Sequence, residues 1–281
     1  MAESEMDKIK KLREETGARV LDVQKALKEC SGNLDEARTW LRKKNLATGA
    51  ATSARAAAEG LIGCKLGADG KAIALVELTA NTDFVTKNEE FRKLLNDLAA
   101  LCEALKIDSP DVLLRQRMNG RSVSEVVQEL AGKIGENIAV KQVARVEGEF
   151  GYYVHHDGKQ AAVVELSGAA GEKAQALGKD LAMHVVFAKP KCVTREDVPA
   201  DLVAKEKEIL AERLKSDPKN ASKPPQILAK IAEGQLGKFY ASICLLDQPY
   251  YRENAKTVSQ FLKEQGSGIT VKRFVHLKVG A

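Results

Sequence analysis

The middle and the end of this chain are two copies of one segment plan, which limits the folds that the sequence can adopt. Residues 59–78 and 147–166 align at a constant offset of 88, with ten of twenty positions identical. Unrelated segments of ordinary composition would share about one or two. Matching resumes at 96–99 against 179–182 with an offset of 83, so the first copy holds five extra residues. A period this long indicates a duplicated domain and not a solenoid.

Both copies follow the order strand, strand, long helix, helix, strand. Segment 122–129 matches 257–264, and 138–148 matches 269–280, so the repeat reaches the end of the chain. We therefore expect an α+β fold with two core subdomains, each with a three-stranded antiparallel sheet and helices. The expected boundaries are 59–147 for the first subdomain and 148–281 for the second, with a helical-hairpin insertion at about 197–250.

Residues 1–46 have the pattern of a separate module of three short helices. Gly17 is expected to end the first helix in a left-handed conformation. Asn33, with Glu36 three residues on, is expected to start the third as a capping box. The segment that follows, 47–58, is rich in Ala, Thr, Ser and Gly, which favours a linker with some helical content.

About forty residues bury only a small core, so this module is expected to be marginally stable alone. Modules of this kind commonly bind partners through an exposed apolar patch. Val20 and Leu21 are adjacent and face different ways, so one can fill the core while the other stays available to a partner. The alternative, equally consistent with the pattern, is that both lie in the core.

The extra residues of the first copy follow its second strand. Residues 72–78 are almost continuously apolar, which predicts a buried central strand. Thr86 with Glu89 matches a capping box, so a helix should begin near Lys87. Asp83 and Phe84 would then lie at the tip between a rigid strand and a rigid helix.

Two interpretations of this tip are open. The asymmetry between the copies suggests an added function, in which the carboxylate and the ring insert into a partner. Alternatively, Phe84 or Val85 packs on the helix and Asp83 stabilises the helix N-terminal amides.

The insertion at about 197–250 has the pattern of two helical arms joined by a proline-containing turn, where Pro218, Pro224 and Pro225 exclude regular helix. Each arm has few heptads, so the pair is a short antiparallel coiled coil at most. Self-association, contact with a partner, and a protrusion without a partner are all consistent with it.

Catalytic motifs are missing from the sequence: it has no GxSxG, Walker loop, GxGxxG after a strand, or HExxH. His184 is the best isolated candidate for a base, yet its apolar neighbours favour a core or interface histidine. We therefore expect a binding protein and not an enzyme. An enzyme that uses His184 or Asp83 is one rival, and an adaptor that binds helical or ubiquitin-like partners through residues 1–50 is another.

Composition limits the ligands and the location. Five cysteines without a CxxC pair indicate reduced thiols, and four scattered histidines predict neither a metal site nor a cofactor. The net charge of +5 is mild and 5% of residues are aromatic, which does not indicate nucleic-acid binding. With no long apolar run and no signal or transit pattern, we expect a cytoplasmic protein that is not bound to a membrane.

Four segments together identify a resemblance: TGARVLDVQKAL at 16–27, NTDFV at 81–85, KIGENI at 133–138 and MHV at 183–185. In this order they resemble the elongation factor Ts family, the guanine-nucleotide exchange factors for elongation factor Tu. The resemblance covers nearly the whole chain. It implies a ubiquitin-associated-type (UBA-like) N-terminal module, a doubled core, a coiled-coil insertion, and no direct binding of nucleotide.

The resemblance also implies three sets of partner-binding residues. The first is the exchange wedge, which pushes between helices beside the nucleotide and magnesium site of Tu: Thr82, Asp83, Phe84 and Val85. The second lies on the N-terminal module and contacts the GTPase domain: Val20, Leu21, Asp22 and Lys25. The third belongs to the core near that contact: Ile134, Gly135 and His184.

Two departures from the family pattern bear on these expectations. Gln24 stands where a lysine is common, which removes one expected ionic contact. The sequence stops at Gly280-Ala281, whereas some members continue into a C-terminal helix that contacts Tu. The retained hairpin and the lack of a transit pattern favour a bacterial protein that self-associates through the hairpin.

Overall fold

The structure is a computed structural model that describes residues 4–53, 57–216 and 223–281. It has two compact units. The first is built from the chain up to Arg145 together with His156–Gln160 and Leu277–Ala281, and the second from Val146–His155 and Ala161–His276. This division follows contacts, so the domain boundaries expected from the duplication stay a prediction. Among the described residues, no helix has both the length and the apolar character needed to span a membrane.

The N-terminal part forms three helices, α1 (Glu5–Thr16), α2 (Val20–Glu29) and α3 (Leu34–Thr52). Gly17 ends α1 as predicted, with a φ of 59° and its amide donating to the Arg13 carbonyl. Asn33 starts α3, and its side chain accepts from the amides of Asp35 and Glu36. Asn33 therefore caps α3 as predicted, but the reciprocal bond of the predicted capping box does not form. The Asn33 backbone amide donates to the Cys30 carbonyl at 2.9 Å, and the Glu36 carboxylate accepts from the Asn33 side-chain amide at 3.0 Å.

The rest of the first unit is a sheet covered by helices, with these elements in chain order: β1 (Glu59–Leu66), β2 (Ala72–Ala80), α4 (Glu89–Ala104), α5 (Pro110–Arg115), β3 (Arg117–Met118), β4 (Arg121–Ser122), α6 (Val123–Ile134) and β5 (Ile138–Glu147). The strand order is β1–β2–β5. Antiparallel pairing of β1 and β2 runs from Glu59 opposite Ala80 to Leu66 opposite Ile73. All of β2 is buried, as its apolar pattern predicted.

The second unit repeats the plan with an insertion: β6 (Phe150–Val154), β7 (Gln160–Ser167), α7 (Gly171–Ala188), α8 (Ala200–Ser216), α9 (Pro225–Ile243), β8 (Pro249–Tyr250), β9 (Glu253–Thr257), α10 (Val258–Gln265) and β10 (Thr270–Lys278). The strand order is β10–β7–β6, and β6 pairs antiparallel with β7. Two three-stranded sheets with helices confirm the predicted α+β fold. Helices α8 and α9 pack together as the predicted hairpin, and residues 217–222 of its predicted turn lie outside the described residues. Pro225 was predicted to exclude helix but is the first residue of α9, a position at which proline is tolerated.

Helix α3 is longer than the sequence suggested and packs closely on α6. A Cβ atom on Gly132 of α6 would lie 1.7 Å from the carbonyl oxygen of Asn45 in α3. A Cβ atom on Gly49 of α3 would lie 2.1 Å from the carbonyl oxygen of Gln128. Since real side chains do not tolerate such distances, only glycine permits this backbone approach. Residues 47–52, predicted as the start of a linker, are therefore the last turns of a helix that fixes the N-terminal module to the rest of the first unit.

The duplication places equivalent glutamates, Glu77 and Glu165, in the two central strands, in different electrostatic surroundings. Burial opposes ionisation of Glu165, but hydrogen bonds from Lys272 (2.6 Å) and Arg273 (2.7 Å) outweigh it and lower its pKa. Burial raises the pKa of Glu77, whose Oε2 has no hydrogen-bond partner in the described part of the chain.

We expect Glu165→Gln to lower the free energy of unfolding by about 1–2 kcal/mol at neutral pH, because it removes two charge-assisted hydrogen bonds whose cations are half exposed. The matched variant Glu77→Gln should be nearly neutral or stabilising, because it removes a buried charge that costs energy. Urea unfolding of both variants measures this difference.

The pH dependence should separate the two glutamates further. Because the pKa of Glu165 is lowered, its carboxylate stabilises the fold at pH values above the ordinary pKa of 4.5. This stabilisation is lost as the pH falls into the acid range. Because the pKa of Glu77 is raised, this residue favours the fold only in its protonated form, at pH values below the ordinary pKa of 4.5. The stability gained by Glu77→Gln should therefore vanish in acid. Equal losses of stability in both variants at neutral pH would contradict this account.

Candidate partner-binding surface

The loop after β2 is held at its far end by a cap that the sequence analysis assigned to the wrong residue. Helix α4 begins at Glu89, and its cap is Asn88, whose side-chain oxygen accepts from the amides of Glu90 (2.8 Å) and Phe91 (3.3 Å). Thr86 instead lies in a 3₁₀ turn over Val85–Lys87, and its hydroxyl donates to the Asp83 carbonyl at 2.6 Å. The predicted capping box of Thr86 and Glu89 is therefore wrong.

The tip of the loop presents its ring to solvent. Phe84 is 75% exposed and Asp83 is also exposed, whereas Val85 is buried in the core of the first unit. The ammonium of Lys87 lies 5.5 Å from the centre of the Phe84 ring. From the sequence we considered packing of Phe84 or Val85 on the helix and a bond from Asp83 to its first amides. Of these, the structure shows only the packing of Val85. Asn88 already occupies the first amides of α4, which leaves the Asp83 carboxylate available at the surface.

The near end of the loop is clamped to the segment that follows α6. Thr82 donates to Glu136 twice, from its amide at 3.0 Å and from its hydroxyl at 2.8 Å. The amide of Asn137 donates to the side-chain oxygen of Asn81 at 2.7 Å. Sequence reasoning gave Glu136 and Asn137 no role, although both lie in the KIGENI segment. These bonds fix the direction in which the chain leaves β2.

The same segment carries Ile134 and Gly135, two predicted contact residues. Gly135 ends α6 with a φ of 84°, a conformation that favours glycine. The guanidinium of Arg19, next to Val20 in the N-terminal module, donates to the Ile134 carbonyl at 3.2 Å. The first unit therefore brings together the loop, Ile134–Gly135 and the start of α2.

Neither Val20 nor Leu21 fills the core of the N-terminal module, which corrects both alternatives drawn from the sequence. Val20 is 39% exposed and Leu21 is 77% exposed, whereas Val23 and Leu27 are buried. Since the next turns of α2 supply the buried positions, both side chains are available at the surface beside Arg19. Together with the exposed Lys25 they form one face of the first turns of α2.

The Asp22 carboxylate is bound within the module. Asp22 accepts a hydrogen bond from the Lys44 ammonium, which also lies 5.6 Å from the centre of the Trp40 ring. This contact joins α2 to α3 and therefore orients the exposed residues on either side of Asp22.

His184 belongs to the second unit and is completely buried. Its Nδ1 accepts from the Tyr251 amide at 3.3 Å, so its Nε2 donates to the Gln248 side-chain oxygen at 2.9 Å. Burial lowers its pKa, which keeps the ring neutral at neutral pH. With both nitrogens occupied, His184 holds β8 and the turn after it against α7, and its effect on a partner would be indirect.

Sequence reasoning missed an exposed aromatic residue near His184. Phe187 is 73% exposed at the last turn of α7, with its ring centre 6.5 Å from that of Tyr251. Arg252 lies over the Tyr251 ring and pairs with Asp180 at 2.6 Å. Phe187 does not lie on the helix face of the buried residues Leu181 and Val185, so helical periodicity alone could have predicted its exposure.

The described residues contain no group of three or more histidine, cysteine or acidic side chains arranged to hold a metal ion. In the first unit, the loop and the start of α2 present exposed apolar side chains on well-held backbone, with a carboxylate at the tip of the loop. Such a surface is suited to binding a protein.

Comparison with known proteins identifies the family. A family model described as Elongation factor TS matches residues 81–281. The chain is 39% identical to the elongation factor Ts of Methylococcus capsulatus over 276 residues, which cover 97% of this chain and 90% of the relative. It is 38% identical to that of Deinococcus deserti over 277 residues, 98% of this chain and all of the relative. From this similarity, which includes the loop and the core, we conclude that the chain belongs to the elongation factor Ts family.

Proposed function

We propose that the loop carrying Asp83 and Phe84 enters elongation factor Tu beside its nucleotide site and releases GDP. As a member of the elongation factor Ts family, the protein is the nucleotide exchange factor for Tu in translation elongation, and it performs no covalent chemistry. Membership of the family does not assign a role in the exchange to each residue of this chain.

The observation that carries the proposal is the 75% exposure of the Phe84 ring on a backbone fixed at both ends. A flexible loop would lose conformational entropy on insertion, and this cost would be subtracted from the binding energy. Here the buried strand β2, the Thr82–Glu136 bonds and the Asn88 cap already hold the loop. The ring can therefore enter an apolar space in Tu at a small entropic cost.

GTPases hold GDP through loop amides, a lysine and magnesium that act on its phosphates. An inserted ring displaces the helices around that site, and the Asp83 carboxylate fixes the loop through hydrogen bonds or charge. Exchange requires that the factor bind nucleotide-free Tu more tightly than Tu with GDP. By reciprocity GDP then weakens binding of the factor by the same ratio, about a hundredfold for a coupling of about 3 kcal/mol.

The N-terminal module supplies a second contact in this proposal. Leu21, Val20 and Lys25 lie on one exposed face of α2 and would contact the GTPase domain. Asp22 is engaged by Lys44 and would instead hold this face in position. Ile134 and Gly135 lie between the module and the loop. A Cβ atom on Gly135 would lie 2.5 Å from the Arg19 guanidinium, so the missing side chain makes room for the Arg19–Ile134 hydrogen bond.

The test of this function is release of fluorescent GDP from elongation factor Tu in a stopped-flow instrument. We expect the release rate to rise with the concentration of this protein and then saturate, because release occurs within the complex. A protein that only tethers Tu, as the adaptor hypothesis requires, would bind it and leave the release rate unchanged. That outcome would contradict the proposed function.

A further inference from the structure

The base of the α8–α9 hairpin is closed by a short parallel bridge between the chain that enters it and the chain that leaves it. Cys192 pairs with Cys244 in this bridge. The Cys192 amide donates to the Ile243 carbonyl at 3.2 Å, and the Leu245 amide donates to the Cys192 carbonyl at 2.9 Å. The Leu246 amide adds a bond to the Val193 carbonyl at 3.1 Å. The two cysteines are therefore held opposite each other by backbone hydrogen bonds on both sides.

The two thiols have the placement that a disulfide requires. Their Sγ atoms are 3.5 Å apart, and both cysteines are free. Paired residues of neighbouring strands are separated by about 4.8 Å, within the range of about 4.4–6.8 Å between the Cα atoms of disulfides. We propose that Cys192 and Cys244 form a redox modification site, at which a small-molecule disulfide such as oxidised glutathione produces an intramolecular bond that locks the base of the hairpin.

The reaction balances as two thiol–disulfide exchanges. The Cys192 thiolate, which is partly exposed, attacks one sulfur of oxidised glutathione and releases one glutathione thiolate. The buried Cys244 loses its proton to solvent and attacks the Cys192 sulfur, which releases the second glutathione. The protein loses two hydrogen atoms, and one oxidised glutathione becomes two reduced glutathiones.

The surroundings make this site slow to react at neutral pH. Burial raises the pKa of Cys192 and raises that of Cys244 to about 12, and the carboxylates of Asp197 and Asp247 favour the protonated thiols further. Arg195 opposes this effect at Cys244. Because the thiolate is the reacting species, the rate of disulfide formation should rise steadily as the pH is raised.

The bond would close a loop whose ends are 52 residues apart in sequence. A cross-link over a loop of this size restricts the unfolded chain strongly. We expect the thermal midpoint of the second unit to rise by about 5 °C or more on oxidation. Cleavage by trypsin at Lys191 and Arg195, beside the bridge, should become slower.

The experiment treats the full-length protein with oxidised glutathione and maps its peptides by mass spectrometry without reduction. We expect one cross-linked pair that contains Cys192 and Cys244, which disappears on reduction. Cys244→Ser should accumulate a glutathione adduct on Cys192, and Cys192→Ser should form no cross-link. Cys64→Ser, at a half-buried cysteine of the first unit, should leave the cross-link unchanged.

Two results would overturn the proposal. One is that both thiols of the wild-type protein stay free while the folded protein is exposed to the oxidant at raised pH. The other is that the cross-links join either cysteine to a different residue or to a second chain. The serine variants are small changes in volume, and a thermal melt of each shows whether it has folded.

Discussion

Replacing Asp83 and Phe84 together with alanine should slow GDP release from elongation factor Tu by about 30-fold or more at saturating factor. An exposed aromatic residue that fills a partner's apolar space contributes about 2 kcal/mol or more, and each 1.36 kcal/mol is about a tenfold change in rate. Stopped-flow release of labelled GDP gives the rate directly. The effect should appear in the saturating rate, because the loop acts within the complex.

The variant needs a control for the loss of any exposed apolar group. Leu105 lies in the same unit at the end of α4 and is 50% exposed, so Leu105→Ala removes a comparable surface away from the loop. We expect its release rate to equal that of the wild type. Because Asp83 and Phe84 are exposed, the double variant should also unfold at the same temperature as the wild type.

Gly132→Ala should have the largest effect on stability. The new Cβ would lie 1.7 Å from the Asn45 carbonyl oxygen, so α3 and α6 must separate. Overpacking against backbone has few ways to relax, and we expect a loss of about 3 kcal/mol in the first unit. Hydrogen exchange measured by mass spectrometry should show faster exchange in α3 and α6 and unchanged exchange in the second sheet.

A matched helical glycine distinguishes packing from helix propensity. Gly234 lies in α9, where an added Cβ would meet nothing within 4 Å. Gly234→Ala should stabilise its helix by about 0.5–1 kcal/mol, since alanine favours helix. If Gly132→Ala were also neutral or stabilising, the close contact of α3 and α6 would be wrong.

The repeat predicted the two sheets, and its asymmetry indicated the loop, because both features are encoded in the order and length of segments. The start of α4 was predicted at the wrong residue because the local sequence allows two helix caps. One is the pair Thr86 and Glu89, and the other is Asn88, which binds the amides of Glu90 and Phe91. Burial of Val85 in the core selects the 3₁₀ turn and so the second cap. A contact of this kind with distant residues is not visible in local sequence.

The length of α3 and the exposure of Val20 were not predicted for the same reason, since both depend on how the helices pack in the folded chain. Residues 47–52 have the composition of a linker with some helical content, and the close approach of Gly49 to α6 is a tertiary contact that this composition does not reveal. Val20 continues the stripe of Val23 and Leu27, yet it lies at the first position of α2 and stays 39% exposed. The role of Glu136 also depended on tertiary structure, since its partner Thr82 is 54 residues away.

The claim on which this account depends is that the rigid loop drives GDP release and does more than add affinity. The most direct measurement is the GDP release rate of the Asp83→Ala, Phe84→Ala protein at concentrations that saturate Tu, with binding to Tu measured separately. We predict a variant that still binds Tu through its other contacts but releases GDP at least about 30-fold more slowly than the wild type. A saturating rate within about twofold of the wild type, which is less than about 0.5 kcal/mol, would contradict the account.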